Sequence, residues 1–152
     1  MKTYLALLSL IICISSCTDT PFYQKNTIIH NHSWNYSQTP SFPVTVEDKN
    51  AKYDLYINIR HNRNYKYSNL YVLLHEKSNN SADTAFRKEI KLAELDGKWV
   101  GNNSGELYEV DYLAKKDFSF PDTGTYIFAL EQNMRDNPLK EITDVGIKII
   151  KK

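Results

Sequence analysis

Apolar side chains return at every second position through most of this chain, and that period admits strands and few other structures. Phe42, Val44 and Val46 alternate with Pro43, Thr45 and Glu47. Tyr53, Leu55, Ile57 and Ile59 alternate with Asp54, Tyr56, Asn58 and Arg60. The pattern holds for Leu70, Val72 and Leu74, for Phe86, Ile90 and Leu92, and for Tyr108, Val110 and Tyr112. It returns at Phe118 and Phe120, at Tyr126, Phe128 and Leu130, and at Val145, Ile147 and Ile149. Successive side chains of a strand point to opposite faces, so a period of two buries one face and leaves the other polar. Only the stretch around Phe86 reads equally as helix. The rest sustains no helical period. About eight short strands with turns between them predict an all-β fold. The expected architecture is an antiparallel β-sandwich, immunoglobulin-like or jelly-roll. Pro121-Asp122-Thr123-Gly124 is a turn signal between two of these runs. Asp122-x-Gly124-x-Tyr126 matches the tyrosine corner of such sandwiches.

The N-terminus follows different rules. Lys2 precedes Leu5 to Ile14, a run of ten residues that is apolar but for Ser9. A helix needs about 20 apolar residues to cross a bilayer, so this run suits the core of a secretory signal peptide. It closes on Ile14-Ser15-Ser16-Cys17, which resembles the bacterial lipobox. That resemblance implies cleavage before Cys17, a diacylglyceryl group on its thiol, and an acyl chain such as palmitate on its amine. Each buried methylene contributes about 0.8 kcal/mol, so two or three chains anchor a protein durably where one does not. Asp in the position after the Cys resembles an inner-membrane retention signal; here Thr18 intervenes before Asp19, and the outer membrane, on its periplasmic side, is expected. Cys13 leaves with the signal. No thiol then remains for a disulfide, a nucleophile or a metal site.

The expected organisation is a signal peptide over 1–16, a lipidated N-terminus and tether over 17–33, and one sandwich domain over 34–152. Ile28, Ile29, Trp34 and Tyr36 suggest that the later part of the tether packs on the domain. A length of 152 residues suits one domain. Lys plus Arg number 19 against 18 Asp plus Glu, a formal net charge of +1. That balance excludes a broadly basic nucleic-acid binder.

Catalytic patterns are missing from the sequence. There is no G-x-S-x-G elbow, no G-x-G-x-x-G and no P-loop. His30-Asn31-His32 would place two imidazoles on one face of a strand, but no further ligand stands at a zinc-like spacing. We therefore expect no enzyme, no metal and no cofactor beyond the covalent lipid. Trp34, Tyr36, Tyr65, Tyr67, Tyr71, Trp99 and Tyr108 support an alternative, a carbohydrate-binding module, if several are exposed and coplanar. Arg60, His61, Tyr65, Tyr67, Asn69 and Trp99 form the densest cluster of candidate contact residues. They are expected to face a partner or to lock loops, with Arg60 fixing the loop that follows it.

Several segments carry a family resemblance. They are Leu55-Tyr56-Ile57-Asn58-Ile59-Arg60-His61, Tyr65-Lys66-Tyr67-Ser68-Asn69-Leu70-Tyr71 and Asp83-Thr84. Gly97-Lys98-Trp99-Val100-Gly101, Phe120-Pro121-x-x-Gly124-x-Tyr126, Met134-Arg135 and Ile142-x-Asp144-Val145-Gly146 follow in order. Over about residues 34–151 the chain resembles the GldH-type gliding-motility lipoproteins of Bacteroidota. One departure is Gly101-Asn102-Asn103-Ser104-Gly105, where the family is often richer in glycine. The resemblance implies an outer-membrane lipoprotein that supports gliding and type IX secretion. Its implied partners are other envelope or gliding lipoproteins, or secretion components. It implies no catalytic residue, and only Cys17 carries over as a functional one. Asp83-Thr84-Ala85 also resembles the short O-glycosylation motif of this phylum, which makes Thr84 a candidate acceptor.

Overall fold

The alternation in sequence becomes an alternation in burial. In a computed structural model, which describes residues 20–78 and 81–152, Phe42, Val44 and Val46 are buried while Ser41, Pro43 and Thr45 are exposed. Cys17 and the signal segment lie outside the described residues. The strands are β1 (Tyr23–Ile28), β2 (Ser33–Trp34), β3 (Ser41–Val46), β4 (Tyr53–Asn62), β5 (Asn69–Ser78) and β6 (Ser81–Lys91). Then come β7 (Asn102–Ser104), β8 (Leu107–Phe118), β9 (Gly124–Gln132), β10 (Leu139–Lys140) and β11 (Ile142–Lys151). The stretch around Phe86 is strand, not helix.

Two antiparallel sheets make the sandwich. One has the order β1-β11-β4-β8-β7, the other β3-β9-β5-β6, and β10 pairs with β2 in a small third patch. One apolar cluster lies between them, built from the inner rows of β4, β11 and β8 on one side and of β3, β9, β5 and β6 on the other. Leu55, Ile57 and Ile59 of β4 share that cluster with Val72 and Leu74 of β5 and Phe128 of β9. Each such fully buried side chain contributes roughly 1.5–3 kcal/mol.

One expectation needs correction. Residues 17–33 were expected to form a tether, but Tyr23–Ile28 pair with β11 along their whole length, from Tyr23↔Ile149 to Ile28↔Asp144. Strand β11 would otherwise present an open edge of unpaired backbone groups, and β1 covers it. Ile29 and Trp34 are buried as expected, whereas Ile28 and Tyr36 are exposed. His30 and His32, which would share a face only on a strand, are surface residues. These form a single 3-10 turn, with Asn31 at φ 54° and His32 at φ 48°, and both imidazoles are exposed. They do not share a strand face. The positive φ at Asn31 explains why: Asn tolerates that conformation and turns the chain.

The tyrosine corner is formed. Tyr126 Oη donates to the Asp122 carbonyl at 3.0 Å and accepts from the Asp122 N–H at 3.2 Å. This pins the turn that leads into β9.

The sandwich has two unlike ends. Phe22 packs on Tyr53 at 5.3 Å between ring centroids, and Phe118 and Phe120 complete a cluster where the chain enters the domain. Strand β4 runs its ten residues away from that end, a distance of roughly 30 Å. Beyond its far terminus lie the loops 63–68, 92–101 and 133–138.

Gly146 of β11 pairs with Asn26 of β1. A Cβ there would sit 2.0 Å from Asn26 Oδ1 and 2.6 Å from the Lys25 carbonyl oxygen. The second contact is backbone and cannot turn away. Gly146→Ala is therefore expected to destabilise the domain by about 1–3 kcal/mol. Urea unfolding followed by tryptophan fluorescence measures this, and an unchanged midpoint would contradict the close approach.

Candidate functional site

Five of the six candidate contact residues meet at the far end of the sandwich. His61 is the penultimate residue of β4 and is fully buried. Its ring packs against Trp99 at 4.7 Å, Tyr65 at 5.5 Å and Tyr108 at 5.6 Å. Nδ1–H donates to the Asn62 carbonyl at 2.9 Å. Nε2 is buried and has no hydrogen-bond partner among the described residues. Burial in this aromatic cage lowers the His61 pKa, because a charged imidazole would have little to solvate it.

The loop after β4 is closed by its own residues. Tyr65 N–H donates to the Asn62 carbonyl at 3.2 Å, and Tyr65 Oη donates to the Asn69 carbonyl at 3.0 Å. Burial pushes the Tyr65 hydroxyl pKa well up. Asn69 Nδ2 donates to Glu89 Oε1 at 2.7 Å and ties the start of β5 to β6. Tyr67 points outward and donates to Asp136 Oδ2 at 2.6 Å. That bond holds the Asp136 carboxyl below the usual range, with Lys66 at 3.6 Å assisting. Trp99 is half-buried and bridges to Ala93 across the loop between β6 and β7. At that loop's tip Leu95 stands fully exposed. His61 and Tyr65 thus support the surface from beneath, while Tyr67 and Trp99 reach it.

Arg60 belongs elsewhere. It was expected to fix the loop that follows it. Instead its guanidinium lies on the outer face of the five-stranded sheet, with Nη2 3.0 Å from Glu109 Oε2 and Nη1 3.6 Å from Asp144 Oδ2. The register decides this: Arg60 is paired with Glu109 on β8 and with Asp144 on β11, so its charge clamps three strands.

No local pattern marks what lies beside Arg60. Asn58 sits on the same outward row yet is fully buried. Its Nδ2 donates to Glu109 Oε1 at 2.7 Å and to Asp111 Oδ1 at 2.8 Å, and its Oδ1 accepts from Asn26 Nδ2 at 2.9 Å. Lys148 neutralises Asp111 from the other side. One amide thus satisfies two neighbouring carboxylates. Asn26 can lie over the sheet only because Gly146 has no side chain.

The remaining candidates are dispersed. Trp34 is fully buried, with Nε1 donating to the Gln38 carbonyl at 2.8 Å. The planes of Tyr65, Tyr67, Trp99 and Tyr108 are tilted from one another by 45–72° in their touching pairs. These rings do not form the coplanar platform that the carbohydrate reading required. Thr84 is exposed on β6 and donates its hydroxyl to the Glu76 carbonyl at 3.2 Å. Among the described residues no group of three His, Cys, Asp or Glu side chains is placed to hold a metal ion.

The geometry defines a two-sheet antiparallel β-sandwich with one end elaborated by three interlocked loops. The model of the GldH lipoprotein family matches residues 21–149, and the chain belongs to that family. A gliding motility lipoprotein GldH homolog from Christiangramia forsetii is 32% identical over 148 residues, covering 93% of this chain and 90% of the relative. The gliding motility lipoprotein GldH of Flavobacterium johnsoniae is 28% identical over 127 residues, covering 79% of each. No solved structure gives a significant match.

The buried imidazole makes stability depend on pH. His61 has its pKa lowered from 6.5 in the fold, so the unfolded chain binds the proton more readily. Stability is then complete above about pH 6.5 and falls as the pH drops below it, by at most about 1.4 kcal/mol per pH unit. His61→Phe removes that term while keeping a flat ring in the cage. Urea unfolding at several pH values should show wild type losing stability relative to the variant below pH 6.5. Parallel profiles for the two proteins would show that His61 does not carry the effect.

Proposed function

We propose that this chain is an outer-membrane lipoprotein, acylated at Cys17 and facing the periplasm, that supports gliding motility and the associated type IX secretion machinery by docking other envelope proteins. Its role in this reading is adhesion between proteins and not catalysis. The observation that carries the proposal is the arrangement of the fold around its point of attachment. Six positions separate Cys17 from Tyr23, the first residue of β1, a reach of at most about 20 Å. An acylated Cys17 therefore holds the Phe22–Tyr53 end of the sandwich near the lipid. The interlocked loops with Tyr67, Leu95 and Trp99 then point away from the membrane, toward other proteins. Family membership supports the motility role, since the curated relatives are gliding motility lipoproteins by name.

Two measurements test this reading. Deletion of the gene should abolish colony spreading on agar while leaving growth rate unchanged; normal spreading would refute the motility role. Cys17→Ala should lose metabolic labelling by palmitate and leave the membrane fraction. Retained labelling would refute the anchor.

A further inference from the structure

The loops at the far end frame an open depression of about 360 Å³, lined by Tyr67, Tyr71, Arg87, Asn133, Met134 and Arg135. No carboxylate is among the lining residues. The chain has four arginines. Arg60 is paired with Glu109 and Asp144, and Arg63 with Glu106. Arg87 and Arg135 both line this depression, both are exposed, and neither has an ion-pair partner among the described residues.

Nearby acids are already engaged. Glu89 faces Tyr71 across the β5–β6 ladder and accepts from Asn69 Nδ2 at 2.7 Å. Glu131 lies level with Arg87 across Leu73 and bonds His75 Nε2 at 3.1 Å. Asp136 is held by Tyr67 and Lys66. The guanidinium carbon of Arg87 lies 4.1 Å over the Tyr71 ring centroid. Such stacking fixes the group while leaving its in-plane N–H donors available, the fork that matches a carboxylate. Met134 supplies an adaptable apolar wall and is itself held, since the Tyr71 N–H meets its Sδ at 3.2 Å. Aromatic and Arg side chains around a small pocket are the composition of an interface anchor point.

We propose that this depression binds an acidic peptide segment of a partner protein, its carboxylates on Arg87 and Arg135 and a neighbouring apolar side chain against Tyr67 and Met134. The charge left unpaired on this wall selects a carboxylate-bearing segment, and the position far from the lipid anchor selects protein over membrane. The proposal rests on the docking role of this end and names the chemistry of what docks there.

The test uses the lipidated full-length protein in detergent and two fluorescent peptides. One carries Glu-Phe-Glu in a Gly/Ser chain, the other Gln-Phe-Gln. Fluorescence anisotropy at about 50 mM salt should show the acidic peptide binding about tenfold more tightly than its isostere. Raising salt to about 300 mM should weaken only the acidic peptide. The double variant Arg87→Gln, Arg135→Gln should lose the preference with its unfolding midpoint unchanged, because both side chains lie outside the core. Equal binding of the two peptides, wild-type binding by the double variant, or no binding up to about 1 mM would overturn the proposal. So would arginine-dependent binding to phosphatidylglycerol vesicles without peptide binding, which would assign the charges to a lipid surface. Failure here with spreading still abolished by gene deletion removes this site alone. Normal spreading with peptide binding retained removes the motility role alone.

Discussion

Strand β4 is hydrogen-bonded along both edges, to β11 and to β8, and it is buried on both faces. Everything else in the five-stranded sheet takes its register from it. On the inner face Leu55, Ile57 and Ile59 enter the common core. On the outer face the burial is polar, and a polar group taken from water must find partners or cost free energy. Asn58 meets that demand by spending both amide hydrogens on Glu109 and Asp111 and its oxygen on Asn26. Arg60, one register step on, neutralises Glu109 and Asp144. The network thereby ties β1, β4, β8 and β11 together through side chains as well as backbone.

The same strand sets the polarity of the molecule along its length. Its first residue, Tyr53, packs with Phe22, Phe118 and Phe120 where the chain enters. Its penultimate residue, His61, supports the aromatic cage under the distal loops. The two ends therefore differ: one packs aromatic rings where the chain enters, and the other carries the interlocked loops. The loops here are not loose connections. Tyr65, Tyr67 and Asn69 each make a hydrogen bond that closes a loop or joins two elements. A preorganised surface loses less conformational entropy when a partner binds.

Much of this was legible in advance, and the limits have physical causes. A period of two is intrinsic to strand geometry, so β3, β4, β5, β6, β8, β9 and β11 and their inner rows could be read from spacing alone. Residues 23–28 escaped because YQKNTI is an edge strand with little apolar alternation; what holds it is the vacant edge of β11. The tyrosine corner at Tyr126 was visible because its partners lie four residues apart. Asn58 was not, because it looks like any polar residue on an outward face. Its partners Asn26, Glu109 and Asp111 lie 32, 51 and 53 positions away. Arg60 was recognised as special but given the wrong partners for the same reason.

The sequence by itself determined the class of fold, the lipobox reading at Cys17 and the family resemblance, since each depends on neighbours along the chain. Only the tertiary structure decided which residues share a surface. Strand register brings Arg60 to Glu109 and Asp144, and the fold sets Arg87 of β6 and Arg135 of the loop after β9 beside one depression, with no ion-pair partner among the described residues. Register is set by burial summed over whole sheets, and no local spacing encodes it.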